Sequence, residues 1–239
     1  MRPRALALWF AAVLSTAAAG CAPGAGVAPT TTEAPPASTA APGGNPEAPG
    51  DRVVVGIGDH RAPRTLNPFL DGPDTAVLDL IGPAFLARGY DIDPVTRRPV
   101  PDALEAIPTP ANGGITVNPD GTMDVVVRVD PAARWADGTP MSADDLAFTI
   151  ATVTDPALPI RTDLRERYGR IVAGSVRASG PELTFRMDID ASVELLFDVI
   201  LPAHVVAGTD FVAAWNESGW VSGGPFEVES YQPGRYLAL

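Results

Sequence analysis

The chain has 239 residues, one cysteine and a formal net charge of −12. So acidic a surface repels nucleic-acid phosphate, which argues against DNA or RNA as partner, and a lone cysteine cannot close an intrachain disulfide. Arg2 and Arg4 sit in the first few residues, so cleavage behind them shifts the charge from −12 to −14.

These two arginines precede an apolar run over 5–14 that includes Leu6, Leu8, Trp9, Phe10 and Val13. Small residues follow over 15–20, then Cys21. That order predicts a secretory signal over 1–20, with an apolar stretch too short for the ~20 residues of a spanning helix. Ala18-Ala19-Gly20-Cys21 resembles a lipobox, with Ala18 where Leu is usual. The expectation is therefore lipidation at Cys21 and an extracytoplasmic, membrane-anchored protein at the cell surface or in the periplasm. A catalytic thiolate at Cys21 would need a basic neighbour to lower its pKa, and the sequence places none beside it.

Residues 21–50 continue from the lipidated cysteine as a linker of Ala, Pro, Gly, Val, Thr, Ser, Glu and Asn, with no aromatic residue, Leu or Ile. Such a segment buries too little apolar surface to offset its ordering entropy, and is expected to be a disordered tether.

A globular region is expected over 51–239. Val53-Val54-Val55-Gly56-Ile57 reads as a buried strand. Residues 75–86 have helical spacing through Val77, Leu80 and Ile81, with Gly82-Pro83 set to interrupt it. Asn118-Pro119-Asp120-Gly121 is a turn before the alternating Val125, Val127 and Val129. Ser142 and Asp145 resemble a capping box opening a helix with Leu146, Ile150 and Val153 on one face. Residues 171–176 and 183–187 read as a hairpin across Ser179-Gly180-Pro181, 205–215 as a short helix, and 226–229 with 236–239 as strands across Gln232-Pro233-Gly234. Periodicity alone yields a mixed α/β (α+β) chain.

Several motifs carry a resemblance in chain order. They are Leu66-Asn67-Pro68, Tyr90-Asp91-Ile92-Asp93, Pro99-Val100-Pro101-Asp102-Ala103-Leu104, the stretch from Arg134 through Trp135-Ala136-Asp137-Gly138-Thr139-Pro140 to Asp145, and Ser222-Gly223-Gly224-Pro225-Phe226. Together they resemble the extracellular solute-binding proteins of family 5, the oligopeptide, dipeptide and nickel receptors of ABC importers. The resemblance implies a periplasmic-binding-protein-like class II fold of two lobes, closing on a solute by hinge motion and docking on a membrane permease. Family members are much longer, so the expectation is the first, N-terminal lobe only, truncated at the C-terminus with the second lobe absent. A chain made as written is then expected to bind solute weakly or not at all.

For ligand contacts the resemblance and the residue types point to Leu70, Asp71 and Asp74, whose carboxylates suit a peptide ammonium, to Tyr168, and to Gly223 and Gly224, which permit close backbone approach. Against these stand structural readings: Asp74 as a helix cap, Asp137-Gly138-Thr139-Pro140 as turn chemistry, Trp135 as packing against the following helix, and Gly223-Gly224-Pro225 as a chain reversal. No cofactor is expected, and the protein is expected to be a monomer.

Two other classes compete. An extracellular hydrolase is poorly served by His60 and His204 alone, by Ser222 without a Gly-x-Ser-x-Gly elbow, and by the absence of His-Glu-x-x-His. A docking or sensory lipoprotein would use Trp215, Trp220 and Phe226 as an aromatic patch.

Overall fold

The computed structural model describes residues 62–214 and 221–239. The expected signal and linker, Cys21, the strand expected at 53–57, His60, Trp215 and Trp220 lie outside the described residues.

The centre is an antiparallel sheet of four strands in the order β3-β4-β6-β5, with β3 at Ile115–Val117, β4 at Thr122–Arg128, β5 at Arg177–Ser179 and β6 at Glu182–Asp188. β4 and β6 pair along their whole length, from Thr122 opposite Asp188 to Arg128 opposite Glu182. Alternation decides which face is buried: Met123, Val125 and Val127 point inward with Leu183, Phe185 and Met187. Each such side chain contributes about 1.5–3 kcal/mol on full burial. The opposite face carries cross-strand charge pairs, Arg186 on Asp124 at 2.8 Å and Arg128 on Glu182 at 2.7 Å. The turn before β4 falls at Asn118–Gly121 as expected, with Gly121 at φ +83, a conformation that favours glycine.

Helix α2 (Ala143–Thr154) packs on β5 and β6. Leu146, Ile150 and Val153 form its buried stripe. Asp145 reaches back to the Ser142 backbone N–H at 2.9 Å, one half of the expected capping box. Its carboxylate also accepts Trp135 Nε1–H at 3.4 Å and the Ala203 N–H at 2.9 Å. A single buried carboxylate thus ties together the helix start, the tryptophan of the Asp-Gly-Thr-Pro stretch and the start of α4 (Ala203–Val206).

Helix α1 (Thr75–Ile81) runs into a 3-10 turn at Gly82–Ala84, where Gly82-Pro83 was expected to interrupt it. Its buried residues are Val77 and Leu78, whereas Leu80 is exposed, so the inward stripe is turned from the one expected. A hairpin follows, β1 (Tyr90–Ile92) with β2 (Pro99–Pro101). Helix α3 (Thr162–Tyr168) carries only two buried residues, Leu164 and Tyr168, four apart on one face, and its spacing was not read as helical.

Three further boundaries differ from expectation. The strand expected at 171–176 begins only at Arg177. The Ser175 hydroxyl there donates to Val172 O at 2.6 Å and accepts the Arg186 N–H at 3.0 Å, replacing ladder bonds with a side-chain turn. The segment 226–229 is irregular, because the Phe226 N–H is spent on Ala84 O and those of Gly223 and Gly224 on Phe85 O. The strands of that hairpin are β7 (Ser230–Gln232) and β8 (Tyr236–Ala238). The helix expected over 205–215 is the four-residue α4, followed by a turn in which the Thr209 hydroxyl donates to Val206 O.

Candidate functional site

A cleft of about 230 Å³ opens between α1 with its 3-10 extension on one side and α3 with residues 198–199 on the other. The sequence brings these walls together through the segment 66–70. Asn67 is fully buried, donating to Phe211 O at 3.1 Å and accepting the Phe69 N–H at 3.0 Å. Leu70 forms an antiparallel bridge with Ile160, and the Arg161 N–H donates to Phe69 O at 2.8 Å. The segment 66–70 therefore ties the chain leading into α1 to the chain leading into α3, through Phe69 and Leu70, and the cleft lies beside it.

Apolar side chains from both walls, among them Phe69, Leu78, Leu86 and Leu164, line the cleft together with Arg88, Arg161 and Arg167. Arg161 grips Asp163 through two parallel bonds at 3.0 and 3.1 Å and reaches across to Asp79 at 2.8 Å. Burial works against its charge, but the hydrogen bonds to Asp79 and Asp163 outweigh it and hold its pKa above the usual value. Asp163 is also disfavoured by burial, and the hydrogen bond and charge of Arg161, with the charge of Arg167, bring it below the ordinary carboxylate range. Arg167 bonds Asp163 at 2.9 Å and Asp198 at 2.6 Å.

The wall at 198–199 is set by a strained residue. Phe197 has φ 59, rare for a bulky side chain, and is fully buried. Its N–H donates to the Tyr168 hydroxyl at 2.8 Å, its carbonyl accepts the Gly89 N–H at 2.8 Å, and its ring meets that of Tyr168 edge-on at 6.2 Å.

Of the expected ligand contacts, only Tyr168 lies on this cleft. Its hydroxyl is taken by Phe197, and burial pushes its pKa up. Leu70 is half-buried in the bridge to Ile160. Asp71 is exposed and makes no hydrogen bond or ion pair among the described residues. Asp74 stands at the cap position of α1 but makes no side-chain capping bond; its carboxylate accepts the Arg64 N–H at 2.9 Å. At Gly223 an added Cβ would lie 2.4 Å from Ala87 Cβ and 2.9 Å from both Met141 and Trp135. At Gly224 it would meet the Phe85 backbone at 2.8 Å. Both glycines permit close packing inside the protein.

Asp137 accepts the Thr139 N–H at 2.8 Å, the turn expected of Asp-Gly-Thr-Pro, and also contacts His204 Nε2 at 2.9 Å. The Thr139 bond, then the His204 bond, lowers its pKa. The Ser222 hydroxyl is buried within reach of the Phe85 and Phe226 carbonyls, at 2.5 and 2.6 Å, which is a structural role. Among the described residues no group of three or more His, Cys, Asp or Glu could hold a metal, and no helix is long and apolar enough to cross a membrane.

No protein-family model matches the sequence. A Brucella melitensis protein named as a binding protein is 28% identical over 116 residues, 47% of this chain and 18% of that protein. LpqW of Mycobacterium tuberculosis, named as a monoacyl phosphatidylinositol tetramannoside-binding protein, is 29% identical over 186 residues, 66% of this chain and 28% of its own length. The pentapeptide-complexed oligopeptide-binding protein of Thermus thermophilus superposes with a TM-score of 0.56 at 18% identity, over 73% of this chain and 35% of that one. The periplasmic EDTA-binding protein EppA gives 0.59 at 21% identity, over 74% and 33%. The chain has the class II solute-binding-protein fold, in part.

This partial solute-binding fold agrees with the resemblance carried by the sequence motifs. The chain spans about a third of the length of the solved neighbours and between 18% and 28% of the relatives above. The arginines at this cleft escaped the sequence reading. The one local signal of Arg161 and Arg167 is the charge density of Arg161-Thr162-Asp163-Leu164-Arg165-Glu166-Arg167, which by itself describes a solvated helix, and Arg88 has none.

Proposed function

We propose that this chain is part of the substrate-binding lipoprotein of an ABC importer, capturing a peptide or a similar small solute outside the cell and delivering it to a membrane permease. In this reading residues 1–20 are the signal, 21–50 the lipidated Cys21 and its tether, and 51–239 the first lobe. The observation that carries it is the superposition of about three quarters of the chain on solute-binding proteins, one of them holding a pentapeptide. The relatives are named as binding proteins, which favours binding over catalysis. In this reading the exposed Asp71, which follows the segment that builds the cleft, offers its carboxylate to a peptide ammonium.

Titration calorimetry of the chain against short peptides tests the binding role: a cleft lies within the described residues, so saturable heat is expected, in contrast to the weak or absent binding expected from the sequence of a first lobe alone. Mass spectrometry of the membrane fraction tests the anchor: a diacylglyceryl adduct on Cys21, with Cys21→Ser releasing the protein from the membrane. Absence of both would remove the proposal. Phe226, 56% exposed, supports a second reading as a docking lipoprotein. Capture of a partner other than a permease, lost in Phe226→Ala, would favour it.

A further inference from the structure

Arg88 differs from the other two guanidinium groups of the cleft. Arg161 and Arg167 are spread over Asp79, Asp163 and Asp198, and each bridges two carboxylates. Arg88 touches one, Asp91, through Nη1 alone at 2.9 Å. The same Asp91 oxygen also accepts the Ile92 N–H at 2.7 Å. Arg88 Nε and Nη2 have no partner among the described residues, although the side chain is only 19% exposed and lines the cleft. A guanidinium offers a planar fork of five N–H donors, so this one keeps an edge suited to two parallel bonds. Two carboxylates on the cleft, Asp79 and Asp198, are already engaged by arginines, which leaves a cation less to meet there. The same cleft is lined by Phe69, Leu78, Leu86 and Leu164, an apolar surface for the body of a ligand.

We propose that this cleft binds a small organic acid, its carboxylate held by the free edge of Arg88 and its apolar body laid on Phe69, Leu78, Leu86 and Leu164. The site rests on the solute-binding reading and adds to it the charge and character of a ligand. Carboxylate is favoured because the fork geometry of guanidinium matches its two oxygens. Asp91 and Asp102 sit close enough to share the field of Arg88, so an incoming anion competes with Asp91 for the same cation. Affinity should therefore fall as ionic strength rises.

Calorimetric titration of the whole chain with 4-phenylbutyrate and with its neutral amide tests the site. The acid is expected to bind at least about tenfold more tightly than the amide, since hydrogen bonds to charged groups are the stronger class. Arg88→Gln should remove that preference. Arg88→Lys should keep the preference at reduced affinity, because the charge remains and the fork is lost. Arg128→Gln, on the outer face of the sheet, should change nothing. Equal binding of acid and amide, or a preference that survives Arg88→Gln, overturns the anion site while leaving solute binding intact. Peptides binding where the acid does not also overturns it and moves the solute elsewhere. If neither the acid nor any short peptide binds, this inference and the solute-binding reading fall together.

Discussion

The Tyr168 hydroxyl accepts the backbone N–H of Phe197 at 2.8 Å, so a side chain of α3 serves a buried aromatic residue held at positive φ. Strain at Phe197 costs on the order of 1–3 kcal/mol and persists only where neighbours over-determine it. Tyr168 and the Gly89 bond are those neighbours. Together they present Asp198 and Val199 to the cleft.

Tyr168→Phe should leave the Phe197 N–H buried without a partner and lower stability by about 1–3 kcal/mol. Tyr90 provides the contrast. Its hydroxyl is buried with no partner in the described structure, and burial followed by the charge of Glu194 raises its pKa. Tyr90→Phe should therefore be neutral or stabilising, by up to about 1 kcal/mol. Urea denaturation of both variants checks this, and losses of equal size would contradict the roles assigned to the two hydroxyls.

Asp145→Ala removes the acceptor for Ser142 N–H, Trp135 Nε1–H and Ala203 N–H at once. A loss of about 3 kcal/mol or more is expected, because buried donors lose a charged partner. Trp135 emission should shift to the red as the indole loses its fixed environment. The exposed neighbour Asp144, in the first turn of the same helix, should cost only about 0.3–1 kcal/mol when replaced by Ala.

Asp163 gives the acid response a direction. Its folded pKa is depressed, so its contribution is present above the unfolded carboxylate value of about 3.9 and is lost as pH falls through the folded pKa. The side chain is 41% exposed, so solvent screening keeps the effect at or below about 1 kcal/mol. Denaturation of Asp163→Asn against the parent chain should show a gap at pH 7 that closes in the acid range below about pH 4. A gap that persists at pH 2 would refute the linkage.

Gly223→Ala should lower stability by about 1–3 kcal/mol, the usual cost of overpacking, because its new methyl would meet Ala87 at 2.4 Å. Gly72→Ala, with nothing within 4 Å, should be neutral or slightly stabilising. Thermal unfolding of the pair tests whether Gly223 is kept for packing. A tolerated Gly223→Ala that instead weakens solute binding would return it to the ligand-contact role.

Elements with local causes were legible in the sequence. α2 shows itself through Ser142, Asp145 and the spacing of Leu146, Ile150 and Val153, and β4 through alternation after the Asn118–Gly121 turn. Strand edges shifted where a side chain or a distant backbone took the hydrogen bonds, as Ser175 does beside β6 and Ala84-Phe85 do for residues 223–226. α3 escaped because only Leu164 and Tyr168 of its face are buried, so no stripe announces it. The cleft was least legible. Arg88 and Arg161 line one cleft because the 66–70 segment joins α1 to α3, and nothing in either neighbourhood reports the other.

The charge pairs on the outer face of β4 and β6 act as an alignment key. With Asp124 opposite Arg186 and Arg128 opposite Glu182, every charge on this face of β4 meets its complement. Sliding one strand by a single residue would turn the buried valines to water. Sliding it by two toward the β4 C-terminus would keep the valines inside but set Asp124 against Asp188, like charge facing like. The two faces therefore reject different errors, and the correct pairing is the one that satisfies both.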